Sequence, residues 1–182
     1  WILLVALAAP QPGLELRDTV EPQQCVVEVR SSLGNWAFGV HPGGVQGSGV
    51  TLRRGDDLLT GFVFGSGTRL KVKGRHLSGI LAGAEVDLHL IIRSHKLELR
   101  GRVPGVGRAV VESTVGRFRV ISDNVTIDAV TEKKGLMRGD LKVGDRYGEI
   151  QIRSTNCEGS AIWRRPDLAI AIMIAPRTAL GP

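Results

Sequence analysis

The chain has 182 residues, of which 42% are hydrophobic and 24 are glycine. This length suits one domain or at most two small ones, and the composition excludes a globally disordered chain and a collagen-like repeat. The formal net charge of +6 falls entirely on residues 91–182, which carry 16 basic and 10 acidic residues, whereas residues 1–90 carry 8 of each. A basic second half favours an anionic partner.

The chain begins with an uninterrupted apolar run, residues 1–9, followed by a segment rich in proline and glycine. The run is too short to span a bilayer, which takes about 20 residues. Ala6-Leu7-Ala8 has the small-x-small form of a signal-peptidase site. We interpret residues 1–13 as the remnant of a signal peptide with its linker, and residues 14–182 as a single β-rich domain. The alternative is that the run is an apolar first strand or helix of the fold.

Two cysteines, Cys25 and Cys157, occur in the chain. In an exported protein, two cysteines predict a disulfide, whereas two buried free thiols are the alternative. Export would place the protein in the periplasm, on the cell surface or in the extracellular space. Neither cysteine has a histidine at a metal-ligand spacing and no nucleotide-binding glycine motif occurs, so we expect no metal site and no cofactor.

Alternation of apolar and polar residues dominates the chain from residue 25 onward, as is typical of half-buried antiparallel strands. The clearest runs are residues 25–30, 68–73, 85–93, 96–100, 117–120, 125–130 and 149–153. In the longest of them the alternation predicts four core residues and three outward residues. The core residues are Val86, Leu88, Leu90 and Ile92, and the outward residues are Glu85, Asp87 and His89.

Turn residues separate these runs at intervals of roughly 10–15 residues, which predicts an all-β fold of short, mostly antiparallel strands with glycine-rich turns and little helix. A sandwich, a roll and an open barrel all fit this pattern. Residues 31–49 look like an irregular, glycine-rich linker, and residues 168–175 fit a buried strand better than a short helix because isoleucines alternate there. Over residues 45–155 the short alternating strands, glycine turns and few aromatic residues resemble the β-rich modules of bacterial envelope proteins. This resemblance assigns no functional residue.

The candidate binding site is a group of basic residues around the reversal near residue 94. Guanidinium groups bind phosphate or carboxylate through paired hydrogen bonds, so an arginine-rich cluster suits an anion. The predicted anion-binding residues are Arg93, Lys96, Arg100, Arg102 and Arg108. Glu98 lies among them and would neutralise part of their charge.

These features favour a non-enzymatic binding or structural module of an exported protein, which could be a subunit of a larger homo- or hetero-oligomer. One alternative is a secreted hydrolase with a site assembled from dispersed residues, and another is a β-groove binder of lipid or anionic polymer. The expected partners are therefore other protein subunits, an anionic lipid or a polysaccharide. Nucleic acid is a poor candidate because aromatic residues, which would stack on bases, make up only 4% of the chain.

Overall fold

Fourteen antiparallel strands form a closed barrel in which each strand pairs with its neighbours along the chain and β1 pairs with β14. The computed structural model describes residues 24–157 and 160–180, so the proposed signal-peptide remnant at 1–13 lies outside the described residues. The strands are β1 Cys25–Ser31, β2 Gly34–His41, β3 Gly44–Gly47, β4 Val50–Arg54, β5 Leu58–Val63, β6 Ser66–Lys73, β7 His76–Leu81, β8 Ala84–Ile92, β9 Lys96–Val103, β10 Gly107–Thr114, β11 Arg117–Ser122, β12 Val125–Lys133, β13 Leu136–Val143 and β14 Arg146–Thr155.

The all-β prediction is confirmed, and the architecture is more specific than a sandwich, a roll or an open barrel. Closure depends on one long-range pairing, in which β1 and β14 align from Val26 opposite Thr155 to Ser31 opposite Ile150. The other thirteen pairings each join strands that are consecutive in the chain. The fold is therefore an up-and-down meander whose first and last strands meet.

The inward and outward faces of β8 follow the predicted alternation, except at the end of the strand. Val86, Leu88 and Leu90 are buried, Glu85 and Asp87 are exposed, and His89 is half-buried. Ile92 was predicted to face the core, but this prediction is wrong, because its side chain is 52% exposed. The residue ends β8 at the rim of the barrel, where no further layer of side chains covers it.

The predicted linker at residues 31–49 is instead two strands, β2 and β3, with tight turns on either side. Glycines inside strands misled the prediction here. They allow neighbouring backbones to approach closely, as at Gly139 in β13, where a Cβ atom would lie 1.8 Å from the carbonyl oxygen of Asp128. Glycine inside a strand is thus a means of bending the wall of a barrel as well as a turn signal.

The lumen is filled by a helix, α1 Pro166–Ile174, all nine of whose residues are buried. The preference for a strand in this segment is therefore wrong. A helix surrounded on all sides by the barrel wall needs no polar stripe, so it lacks the amphipathic period that identifies surface helices. Pro166 at the first helical position is the local start signal. A 3₁₀ turn, Ser160–Arg164, precedes α1 and a 3₁₀ segment, Ala175–Leu180, follows it.

A buried ion pair fixes the start of α1 to the turn between β2 and β3. The Arg165 guanidinium donates hydrogen bonds to the carbonyl oxygens of His41, at 2.6 Å, and Gly44, at 2.9 Å. The same group pairs with the Asp167 carboxylate, which is fully buried. Since a carboxylate in the first helical turn also interacts favourably with the helix dipole, Asp167 satisfies both the guanidinium and the helix terminus.

The far end of the helical segment is held at the opposite rim of the barrel. The Trp36 indole Nε1 donates to the Thr178 hydroxyl at 3.1 Å, and the Arg177 guanidinium donates to the carbonyl oxygen of Pro104 at 3.4 Å. Pro104 lies in the turn between β9 and β10, whereas Arg165 contacts the turn between β2 and β3, at the other rim. The helical segment therefore runs through the lumen from one rim to the other.

A disulfide joins the two cysteines, as predicted. Cys25 opens β1 and Cys157 follows β14, and their sulfur atoms are bonded with the Cα atoms 4.5 Å apart. The bond lies at the rim where α1 begins and crosses the seam between the first and last strands. It thereby ties together the pairing that closes the barrel.

We expect Leu88→Ala to lower the free energy of unfolding by about 2–5 kcal/mol, because it leaves a cavity between the wall and its contents. Asp87→Ala, one residue away on the outer face, should cost less than about 1 kcal/mol, because Asp87 makes only an exposed contact with His76. Urea unfolding of the two variants measures the difference. Equal losses would contradict the assignment of inner and outer faces.

Asp167→Ala should lower the free energy of unfolding by about 3–5 kcal/mol, because it leaves the Arg165 charge buried without its partner. The double variant Arg165→Met/Asp167→Leu removes both charges and should recover most of that loss. Both values come from urea denaturation. A loss below about 1 kcal/mol in the single variant, or a double variant no better than the single, would show that the pair does not anchor α1.

Candidate anion-binding surface

The outer wall of the barrel carries the charged residues, while the inner wall and α1 form one apolar core. Within residues 24–157 and 160–180, no three histidine, cysteine or acidic residues are grouped so as to hold a metal ion. No helix in that part of the chain is long and apolar enough to cross a membrane. The side chains available for contact with a ligand are thus those on the outer wall and the rims.

Three of the five predicted anion-binding residues come together on the outer wall. Arg100, Arg102 and Arg108 line a shallow depression across β9, β10 and β11, which we call the arginine depression. Its floor is largely apolar and includes Val110 and the 45% exposed Ile121. The remaining lining residues are Gly101, Ala109, Ser122 and Asp123.

Arg102 and Arg108 lie directly opposite each other in the β9–β10 pair. Neither guanidinium forms an ion pair with any carboxylate of the described residues. Asp123, the acid that lines the depression, uses its carboxylate to accept a hydrogen bond from the backbone N–H of Arg108 at 2.9 Å. Like charges directly opposite each other in a sheet repel, so this pair costs stability unless an anion lies between them.

Glu98 neutralises two members of the predicted cluster, Lys96 and Arg100. Its carboxylate pairs with the Lys96 ammonium at 3.0 Å and with the Arg100 guanidinium, while Lys96 also pairs with Glu112 at 2.9 Å. The hydrogen bond from Lys96 holds the pKa of Glu98 below its ordinary value. Hydrogen bonds to Glu112 and then Glu98 raise the pKa of Lys96. Lys96 is thus charged and already paired, which leaves it less able to bind a further anion.

Arg93 lies away from the three residues of the arginine depression, although its backbone N–H donates to the carbonyl oxygen of Lys96 at 2.8 Å. It follows β8 at the rim, about 20 Å along the strand direction from the level of Arg102. There it lines a separate depression with Arg75, Gly74 and the exposed Ile92. The predicted cluster of five is therefore two surfaces, with Lys96 occupied between them.

Sequence reasoning missed the residues that give the arginine depression its shape. Val110 and Ile121 face each other across the β10–β11 pair and form an apolar floor between the arginines. The signal was present in β11, where Ile121 continues the outward series of Arg117 and Arg119. An apolar residue on an otherwise charged outer face marks a place where a ligand or partner can gain contact area.

Comparison with known proteins finds no match to the chain among protein families, curated proteins or solved structures.

Glu98→Gln should reduce the dependence of stability on pH. Because the folded state depresses the pKa of Glu98, its carboxylate stabilises the fold above the unfolded pKa of about 4.3, and this contribution is lost as pH falls through the lower folded value. The wild type should therefore be more stable than Glu98→Gln at pH 6, and the difference should shrink toward pH 3. Thermal unfolding across this range measures it. A difference independent of pH would contradict the ion-pair assignment.

Proposed function

We propose that this domain is a non-enzymatic binding module of an exported protein, and that it binds an anionic group on its outer wall, in the arginine depression. The observation that carries the proposal is the facing pair Arg102 and Arg108, which has no carboxylate partner among the described residues. A bound phosphate or carboxylate would lie between the two guanidinium groups and relieve their repulsion. The apolar floor suits an anion carried on an apolar body, as in a lipid headgroup.

The packing of the lumen supports binding at the outer wall. Enzymes and carriers of apolar ligands usually enclose their ligand in a concave pocket. Here the space inside the barrel is taken by α1, whose residues Ile170, Ala171 and Ile172 are completely buried. A lipid carrier with an apolar groove therefore gains no support from the interior, and a dispersed hydrolase site would have to lie on the outer wall or at a rim.

The disulfide supports export, because such bonds persist in oxidising compartments. The signal-peptide interpretation of residues 1–13 remains a prediction. Oligomerisation is also a prediction, and closure of the barrel restricts how it would occur. Every strand from β1 to β14 already has two neighbours, so partner subunits would have to contact side chains of the outer wall rather than extend the sheet.

Reversing the two facing charges tests the site. Arg102→Glu/Arg108→Glu should weaken binding to vesicles of mixed phosphatidylcholine and phosphatidylglycerol by about tenfold or more, because two charge-assisted contacts become repulsions. Sedimentation with vesicles at several salt concentrations gives the affinity. Inorganic phosphate in excess should compete with the vesicles.

The matched control is Arg146→Glu/Arg153→Glu, which changes the net charge equally on β14, away from the depression. This control should retain most of the wild-type affinity. The proposal fails if both double variants lose affinity equally, since that result would reflect net charge alone. It also fails if the wild type binds phosphatidylcholine vesicles equally well.

A further inference from the structure

The outer face of β4 to β6 carries basic side chains and no acidic ones. Between residues 53 and 75 the chain has six basic residues and two acidic ones, a net charge of +4. The two acids lie in the loop between β4 and β5, off the strands. The net charge of zero over residues 1–90 conceals this segment, because several acids of that half precede β2.

A line of cations runs along β6. Its outward residues Arg69, Lys71 and Lys73 recur every second position, about 6.8 Å apart, and Arg75 continues the line into the next turn. We call these four residues the β6 stripe. Register places Arg53 beside it, since Arg53 and Arg69 both lie opposite Thr60 from the two flanking strands. The result is a row of positive charge with one flanking arginine.

The charge of the stripe is barely compensated. Lys71 approaches Asp57 at 3.7 Å, but both side chains are more than 60% exposed, so water screens the pair. Arg69, Lys73 and Arg75 form no ion pair with any carboxylate in the described part of the chain. These residues therefore differ from Lys96, Arg100, Arg117 and Arg119 on β9 and β11, which are paired with acids, and resemble the unpaired Arg102 and Arg108.

An exposed aromatic ring stands at one end of the stripe. Phe62 in β5 is 59% exposed and lies opposite Gly67, the outward residue that precedes Arg69 on β6. A side chain added at Gly67 would meet nothing within 4 Å, so the Phe62 ring does not fold over the glycine. The ring and the bare backbone together leave an open, partly apolar platform beside the cations.

At its other end the stripe reaches the depression that holds Arg93. This hollow at the rim is lined by Arg75 and Arg93 together with Val72 and Gly74, so it continues the basic line across the turn. Arg93 thus belongs with the β6 stripe rather than with the arginine depression. The line extends from Phe62 to Arg93 along most of the height of the barrel.

We propose that the β6 stripe binds a linear acidic polysaccharide, whose sulfate or carboxylate groups pair with the successive cations while one sugar ring stacks on Phe62. A row of charges suits a polymer better than a compact anion, and sugar rings present apolar C–H faces to aromatic rings. The disulfide favours a polysaccharide over a nucleic acid, because it belongs to oxidising, extracytoplasmic surroundings. This site uses no residue of the arginine depression and is independent of the function proposed there.

The test measures binding of a heparin-derived octasaccharide by calorimetry at several salt concentrations. Arg69→Glu/Lys73→Glu should raise the dissociation constant by about tenfold or more, and the slope of log affinity against log salt should become shallower by about two, one for each lost contact. Arg146→Glu/Arg153→Glu, with the same change in net charge, should shift the constant by less than about threefold. Circular dichroism checks that each variant is folded. If Arg69→Glu/Lys73→Glu does not fold, Arg69→Gln/Lys73→Gln takes its place and should weaken binding by about fivefold.

The contribution of the Phe62 ring to octasaccharide binding is measured separately. Phe62→Ala should weaken octasaccharide binding by about fivefold and leave the salt slope unchanged, because it removes stacking and no charge. Tyr147→Ala, which removes another exposed aromatic ring, on β14, should have no effect.

Three results would overturn the proposal. The first is an equal loss of octasaccharide affinity in the β6 and β14 double variants. The second is a loss of octasaccharide affinity in Arg102→Glu/Arg108→Glu but not in Arg69→Glu/Lys73→Glu. The third is tighter binding of a single-stranded oligonucleotide than of the octasaccharide at the same salt concentration. The second result would reassign the polyanion to the arginine depression, and failure of vesicle binding alone would leave the β6 site intact.

Discussion

The need to fill a wide lumen governs this structure. About eight strands make a barrel whose own inward side chains fill the space, whereas fourteen leave a core that the wall alone cannot pack. A helix with its side chains is about 10–12 Å across, and α1 supplies that volume as Leu, Ile, Ala and Met. Because the charged anchor Arg165–Asp167 sits at the rim, the lumen itself stays apolar. Charge is consequently concentrated on the outer wall, where both proposed sites lie.

The strands could be predicted from the sequence, but their closure could not. Alternation is a local signal, and it located Val86, Leu88 and Leu90 correctly because one face of β8 meets the core and the other meets water. Closure rests on pairing between β1 and β14, more than 100 residues apart, for which no local pattern exists. The helix was missed for a different reason, since complete burial removes the polar face that distinguishes a helix from a strand. Glycines in β2 and β3 concealed two more strands.

The candidate surface could be predicted only in part. Arg100, Arg102 and Arg108 meet because the alternation of two adjacent strands points them outward at similar heights. Arg93 is close to them in sequence but not in space, because each residue of a strand adds more than 3 Å to the separation. A charge sum over half the chain conceals the β6 stripe. A sum over single strands, restricted to outward positions, would have revealed it.

The position of α1 in the chain has a consequence for biogenesis. The helix that packs the centre follows all fourteen strands, so during synthesis the wall emerges before α1 can occupy its interior. Until α1 arrives, the apolar inner face of each strand lacks its partner, and β1 cannot pair until β14, the last strand, has emerged. Such non-local contacts slow folding and prolong the exposure of aggregation-prone surface.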